Sequence, residues 1–377
     1  MGIENRTIIP WVEVLTKQGK IAFTIILLVV MAAPLVAQIA PAPEAPPAAS
    51  VASQLPSNSH SRVKTTPTAT NPVGLFFVVR DPRAKSQKKL KDGGQSGLRG
   101  RLAGNLTKSD CTVTDDNVKQ QLQTFSARTQ APITLGLLLD TSMDQQGVLP
   151  VEQQASASFL RGLLQPQDEA FVISFDVTVD MLADFTGSPR ELQHALDRAQ
   201  INSLSGNYAN GTIPSIGRPK GALLYDAVYL AAHDKLGHEA GRKVLILLTN
   251  GRDDGSRVSL HSAIEAAQKA NATVYILLIA DPSIYGILDY PGASAMHQLA
   301  EATGGQVFRI GNKGRKMQAA LQEITSELRT QYQASYTASR STSSGDYRHV
   351  QVHCQQNGKP LRVQVRPGYY AVRNNSF

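Results

Sequence analysis

The stretch ITLGLLLDTSMDQQG, Ile133 to Gly147, is an unbroken apolar run that ends in Asp140, Thr141, Ser142, Met143 and Asp144. Continuous rather than alternating apolar residues are what a strand covered on both faces requires. A buried strand that runs into oxygen-bearing side chains places them at its carboxyl end, where open α/β sheets bind ligands. Outward from this stretch the same pattern recurs in EAFVISF, VTVDMLADF, KVLILLT, ATVYILLIA and GQVFRI, with helical stretches between them. Pro150 suits the first turn of a helix, and Val151, Ala155, Phe159 and Leu163 follow at four-residue spacing. SPRELQHALDRAQ offers Ser188 as N-cap, Pro189 at the first helical position and Glu191 at the third. GALLYDAVYLAAHDKL, SLHSAIEAAQKA and GASAMHQLAEATGG read the same way, the last closing on glycine. The pattern predicts an α/β fold over residues 131–330, a Rossmann-like, doubly wound, mostly parallel sheet.

The segments on either side differ. Residues 73–128 and 331–373 read as strands and turns: VGLFFVVRD, LTKSDCTVTDDNVKQQLQTFS, YQASYTAS, YRHVQVHCQQ and LRVQVRPGYYAV. Each flank is too short to bury a stable sheet alone, so together they predict one small β-rich domain into which the α/β part is inserted. Alternation in HVQVHC and RVQVR suggests an antiparallel pair turned at Asn357-Gly358. Ahead of the first flank, residues 38–72 are rich in Pro, Ala, Ser and Thr and read as a disordered linker. Residues 1–37 place Arg6, Lys17 and Lys20 before the apolar run Ile21 to Ala37. This is a signal peptide cleaved before Gln38 or an N-terminal membrane anchor; either carries the remainder across the inner membrane, into the periplasm, the cell envelope or the medium.

Composition bounds the chemistry. Across 377 residues, 42% hydrophobic and 18% charged, a sizeable core is available. The net charge of +8 is spread along the chain except for Arg80 to Lys91, and no stacking motif accompanies those lysines, so nucleic acid is not an expected partner. The cysteines, Cys111 and Cys354, either form one disulfide or remain two separate buried thiols. His194, His233, His261 and His297 fall singly on helices and do not suggest a ligand set. Ser142 has no His and Asp at a recognisable hydrolase spacing, and GRDDGS lacks the twelve-residue calcium loop.

LGLLLDTSMD, KGALLYDAVYLAA and KVLILLTNGRDDGSR together resemble the three site-bearing segments of the von Willebrand factor type A domain. They are most similar to the VWFA-related proteins of acidobacteria, as are the first flank and the ending RPGYYA; the resemblance spans residues 73–372. It implies a Rossmann-like fold and a metal-ion-dependent adhesion site, Asp-x-Ser-x-Ser with a Thr and an Asp from two further loops, through which a cation binds an acidic side chain of a partner protein. Asp140 and Ser142 match that pattern. The second serine is Asp144, the threonine position is Ala222, and the third-loop aspartate is Asn250. One expectation is a degenerate metal site on a persisting binding scaffold. The other is a compensated site that holds Mg2+ or Mn2+ weakly: Asp140 and Asp144 supply the carboxylates, Asn250 acts through a water, and Thr212 or Ser215 replaces the lost hydroxyl. Asp226 is expected to bond loop backbone. The sequence therefore predicts an exported, non-enzymatic protein-binding protein for adhesion or assembly, without catalytic residues or an assured cofactor. Its protein partner is unidentified, and it meets the membrane only through an uncleaved N-terminal segment. A purely structural envelope protein is the first alternative and a hydrolytic enzyme the second.

Overall fold

A computed structural model describes residues 72–84, 100–201, 222–279, 292–339 and 345–371. The N-terminal apolar segment, residues 38–71 of the linker, positions 85–91 of the basic cluster, and Thr212 and Ser215 lie outside the described residues. All described elements belong to one compact unit bounded by Thr65 and Phe377. Among them, no helix is long and apolar enough to cross a membrane.

The central layer is a six-stranded sheet of β6 (Ile133–Asp140), β7 (Glu169–Phe175), β8 (Val179–Thr186), β9 (Arg242–Thr249), β10 (Ala272–Leu278) and β11 (Val307–Arg309). Their spatial order is β11-β10-β9-β6-β7-β8. All neighbours are parallel except β8, which runs antiparallel to β7 at the edge. Renumbered within the sheet this is the doubly wound order 3-2-1-4-5-6, whose direction reverses between β6 and β9. Every residue of β6 is buried. Ile133, Leu135, Leu137 and Leu139 face α1 (Leu149–Leu163), α2 (Pro189–Arg198) and α6 (Gly314–Thr330). Leu138 faces the opposite layer of α3 (Leu224–Leu230, continued as a π-helical turn Ala231–Leu236), α4 (Leu260–Lys269) and α5 (Ala293–Thr303). Each such leucine contributes roughly 1.5–3 kcal/mol by leaving water, so the apolar run fixes the sheet centre. Local signals set the helix ends. Ser188 accepts the Glu191 N–H, Ser259 accepts the Ser262 N–H, and Gly304 ends α5 with a left-handed φ of 75°.

The flanks form two further sheets. One contains β1 (Pro72–Asp81), β2 (Arg101–Leu102), β5 (Leu122–Ser126), β12 (Tyr332–Thr337) and β15 (Arg362–Gln364), with β1 and β12 antiparallel at its centre. The other contains β3 (Cys111–Asp115), β4 (Val118–Gln120), β13 (Tyr347–Gln356), β14 (Lys359–Pro360) and β16 (Gly368–Tyr370), with β13 between β3 and β14. Both contribute to one apolar cluster that includes Leu75, Phe77, Val113, Tyr332, Tyr336, Val350 and Val352. Inside it, Arg348 pairs with Asp115 at 2.7 Å, while the Tyr336 and Tyr369 hydroxyls each donate to the same carboxylate at 2.9 Å. Burial raises both tyrosines, Tyr369 to about 12, which keeps them neutral donors.

Two sequence expectations change here. The Asn357-Gly358 turn forms with both residues at positive φ, but it pairs β13 only with the two residues of β14. RVQVR then leaves that partner, and β15 pairs with β1 in the opposite sheet, where Val363 and Val365 pack on the shared core. Alternation therefore reported a half-buried strand correctly but not which sheet it joins. The cysteines, left open between a disulfide and two thiols, form the disulfide: they face each other in the β3–β13 ladder with Cα atoms 4.1 Å apart. The bond links positions 243 residues apart. Closing so long a loop restricts the unfolded chain by up to about 5 kcal/mol on the chain-entropy account. Replacing both cysteines by alanine should lower the thermal midpoint by several degrees while leaving the far-ultraviolet circular dichroism of the native protein unchanged. An unaltered midpoint would show that the bridge does not constrain the unfolded chain.

Candidate functional site

The ends of β6 and β9 lie side by side where the strand order reverses, with Leu139 opposite Leu248. Asp140, the last residue of β6, is completely buried. The Ser142 N–H donates to its Oδ1 at 3.0 Å and the Thr249 hydroxyl to its Oδ2 at 2.7 Å. Burial pushes this carboxyl up, and hydrogen bonds from Ser142, Thr249 and Asn250 partly oppose that. Thr141 turns the other way and donates to Asp176 at 2.8 Å, which ties the first loop to the end of β7. Met143 follows with 47% of its surface exposed, on the lip of the crevice.

Asp144 and Asn250 meet directly: the Asn250 amide nitrogen donates to Asp144 Oδ2 at 3.2 Å. The Asn250 side-chain oxygen accepts the Arg252 N–H at 2.8 Å. The Arg252 guanidinium then spans two carboxylates, with Nη1 3.6 Å from Asp144 and Nη2 3.0 Å from Asp254. The second and third loops are stitched together behind it. Ala222 offers its carbonyl to the Asp254 N–H at 3.1 Å, and Asp253 accepts the Tyr225 N–H at 3.0 Å. Asp226 takes the N–H groups of Arg257 and Val258, the backbone role expected of it. Gly292 packs so closely on this loop that a Cβ there would lie 1.6 Å from the Gly251 carbonyl oxygen.

The structure thus brings Asp140, Ser142, Asp144 and Asn250 together at the crevice, and it adds three residues the sequence did not single out. Thr249 lies one position before Asn250 and holds Asp140. Arg252 supplies a cation in a loop that reads as acidic. Glu152, in the first turn of α1, is completely buried with neither carboxyl oxygen hydrogen-bonded within the protein. Desolvation first and the charge of Asp140 second push it well above the ordinary range.

As they stand, Asp140, Asp144 and Asn250 are engaged with protein groups. Magnesium demands about six oxygens near 2.1 Å. Here both Asp140 oxygens accept protein donors, Asp144 faces an amide and a guanidinium, and position 222 has no side-chain oxygen. Among the described residues, no group of three or more His, Cys, Asp or Glu is arranged to hold a metal.

No protein-family model matches the sequence, and no curated protein matches it. Solved structures do. Protein BatB from Bacteroides thetaiotaomicron is 18% identical over 52% of this chain and 98% of its own, with a TM-score of 0.38. A von Willebrand factor type A protein from Catenulispora acidiphila is 11% identical over 82% of this chain and 76% of its own, with a TM-score of 0.39. Proximal thread matrix protein 1 from mussel byssus, solved with zinc in its adhesion motif, is 14% identical over 53% of this chain and 48% of its own, with a TM-score of 0.37. The chain itself carries the α/β class: a doubly wound, mostly parallel sheet with helices on both faces and loops gathered at its switch point. That sheet order agrees with the Rossmann-like fold that the sequence resemblance implies.

The buried Glu152 gives a testable pH dependence. In the unfolded chain this carboxyl loses its proton near its ordinary 4.5, whereas in the folded chain it keeps the proton to higher pH. Its contribution is therefore least unfavourable below that value, and stability falls as pH rises from there to the folded pKa. Each pH unit of separation costs about 1.4 kcal/mol above the folded value. Glu152→Gln should accordingly raise the thermal midpoint near neutral pH and above, with the gain shrinking toward about pH 4. A glutamine variant less stable than the parent at about pH 8 would contradict the assignment.

Proposed function

We propose that this chain is an exported, non-enzymatic protein-binding protein whose partner docks on the loops at the carboxyl ends of β6 and β9. The observation that carries this reading is the gathering of Asp140, Ser142, Asp144, Asn250 and Arg252 from two separate segments at the switch point, beside an exposed methionine. Switch-point crevices are where open α/β sheets place ligands, and an exposed methionine adapts to a partner's surface. The absence of catalysis is proposed because Ser142 Oγ is buried beside the Asp140 carboxyl, where a nucleophile would not reach substrate. Export is supported by the Cys111–Cys354 disulfide, since such bonds persist in oxidising compartments, and by the apolar run in the first 37 residues. The degenerate adhesion site then serves as a rigid, polar-rimmed surface whose specificity comes from its shape and hydrogen bonds.

Affinity capture from an envelope fraction, with identification by mass spectrometry, tests the location of the binding face. Met143→Lys changes the crevice lip; Met181→Lys changes the exposed edge strand β8, whose side chain is 45% exposed. The lip variant should bind the captured partner at least about tenfold more weakly, roughly 1.4 kcal/mol, and the edge variant should bind as the parent does. Equal capture by all three proteins would remove the crevice as the docking face.

A further inference from the structure

We propose that Arg252 does at this crevice the electrostatic work of a divalent cation, so that the arrangement of the site is independent of metal. In a metal-dependent arrangement, carboxylates from different loops share one ion, whose charge holds the loops in register. Here the first loop presents Asp144 and the third presents Asp254, and one guanidinium lies 3.6 Å from the former and 3.0 Å from the latter. Arginine suits that position because its charge is permanent and its planar fork can face two carboxylates at once.

Two changed positions and one retained residue agree with one another. Asn250 carries no charge where the third-loop carboxylate would stand, and it spends its amide on Asp144 and its oxygen on the Arg252 N–H. That second bond fixes the loop from which Arg252 projects. Ala222 removes a side-chain oxygen and uses its carbonyl to anchor Asp254, the other partner of the guanidinium. Asp140, which would be the principal anionic ligand, takes a protein hydrogen bond on each oxygen. Loss of the metal ligands and gain of an internal cation are thus two sides of one arrangement. Arg252 is 41% exposed, so its ion pairs contribute little to global stability; its role is to balance charge and hold loop register.

Removing the guanidinium should expose the carboxylates it balances and so create a response to metal that the parent lacks. The test uses the purified full-length chain, its Arg252→Ala and Arg252→Lys variants, and the Arg252→Ala/Asp144→Asn double variant. Thermal midpoints are read with chelator, with excess MnCl2 and with NaCl at matched ionic strength. The parent and the lysine variant should show the same midpoint in all three. Arg252→Ala should rise by about 2–4 °C in manganese at some tenfold above its Kd, and the double variant should lose that rise. Equilibrium binding of Mn2+ to the parent, which requires no variant to fold, should detect no stoichiometric site. Stoichiometric Mn2+ binding by the parent, or an Arg252→Ala variant that folds yet remains indifferent to manganese, would overturn the proposal.

Discussion

The Thr249 hydroxyl donates to the Asp140 carboxylate across the ends of β9 and β6, and this one buried hydrogen bond is the constraint on which the crevice depends. A carboxylate taken entirely out of water is costly unless its oxygens are satisfied. Thr249 and the Ser142 N–H satisfy one oxygen each, so the first loop must turn back over its own strand. That turn aims Thr141 at Asp176 and brings Asp144 to Asn250. The third loop is thereby set relative to the first, and Arg252 reaches Asp144 and Asp254 together. Sheet topology supplies the location, since β6 and β9 are neighbours only because the winding reverses between them.

A second polar network does comparable work in the flanking sheets. Arg348, Asp115, Tyr336 and Tyr369 meet within an apolar cluster, and Arg348 also lies 3.4 Å from Asp116. Removing Arg348 or Asp115 would strand the other's buried charge, which ties β3 to β13, while the tyrosine hydroxyls add β12 and β16 to the same carboxylate. Arg80 ties β1 to α6: it pairs with Glu327 and, at 2.9 Å, with Glu323. Burial raises Glu327, which also accepts the Gln306 amide at 2.5 Å. The flanking sheets and the α/β layers are therefore joined by buried polar contacts as well as by chain continuity, and Gln364 adds a bond from β15 to the Gly304 carbonyl at 2.9 Å.

What the sequence disclosed follows from the range of each interaction. The strands of the central sheet were legible because burial on both faces demands continuous apolar residues, and Ser188 and Gly304 were legible because capping is local. Asp140, Ser142, Asp144 and Asn250 were legible as residues at strand ends, but what they bond to was not. Arg252 sits in GRDDGS, and nothing in that string says which carboxylates its fork will meet. Glu152 reads as an ordinary acidic residue in the first turn of a helix, where it would favour the helix dipole from solvent; only the packing of α1 on the sheet turns it inward. The path of β15 was illegible for a related reason. Alternation fixes which side of a strand is buried, and both sheets of the flanking pair offer the same apolar interior.

On this proposal protein donors, with Arg252 among them, rather than an ion hold the loops at the switch point. The most direct test is a crystal structure of the protein grown in excess manganese, with diffraction collected for the anomalous signal of the metal. No anomalous peak should appear among Asp140, Ser142 and Asp144, and the Arg252 guanidinium should lie between Asp144 and Asp254. A manganese ion ligated by Asp140 and Ser142, with Arg252 displaced toward solvent, would contradict the proposal.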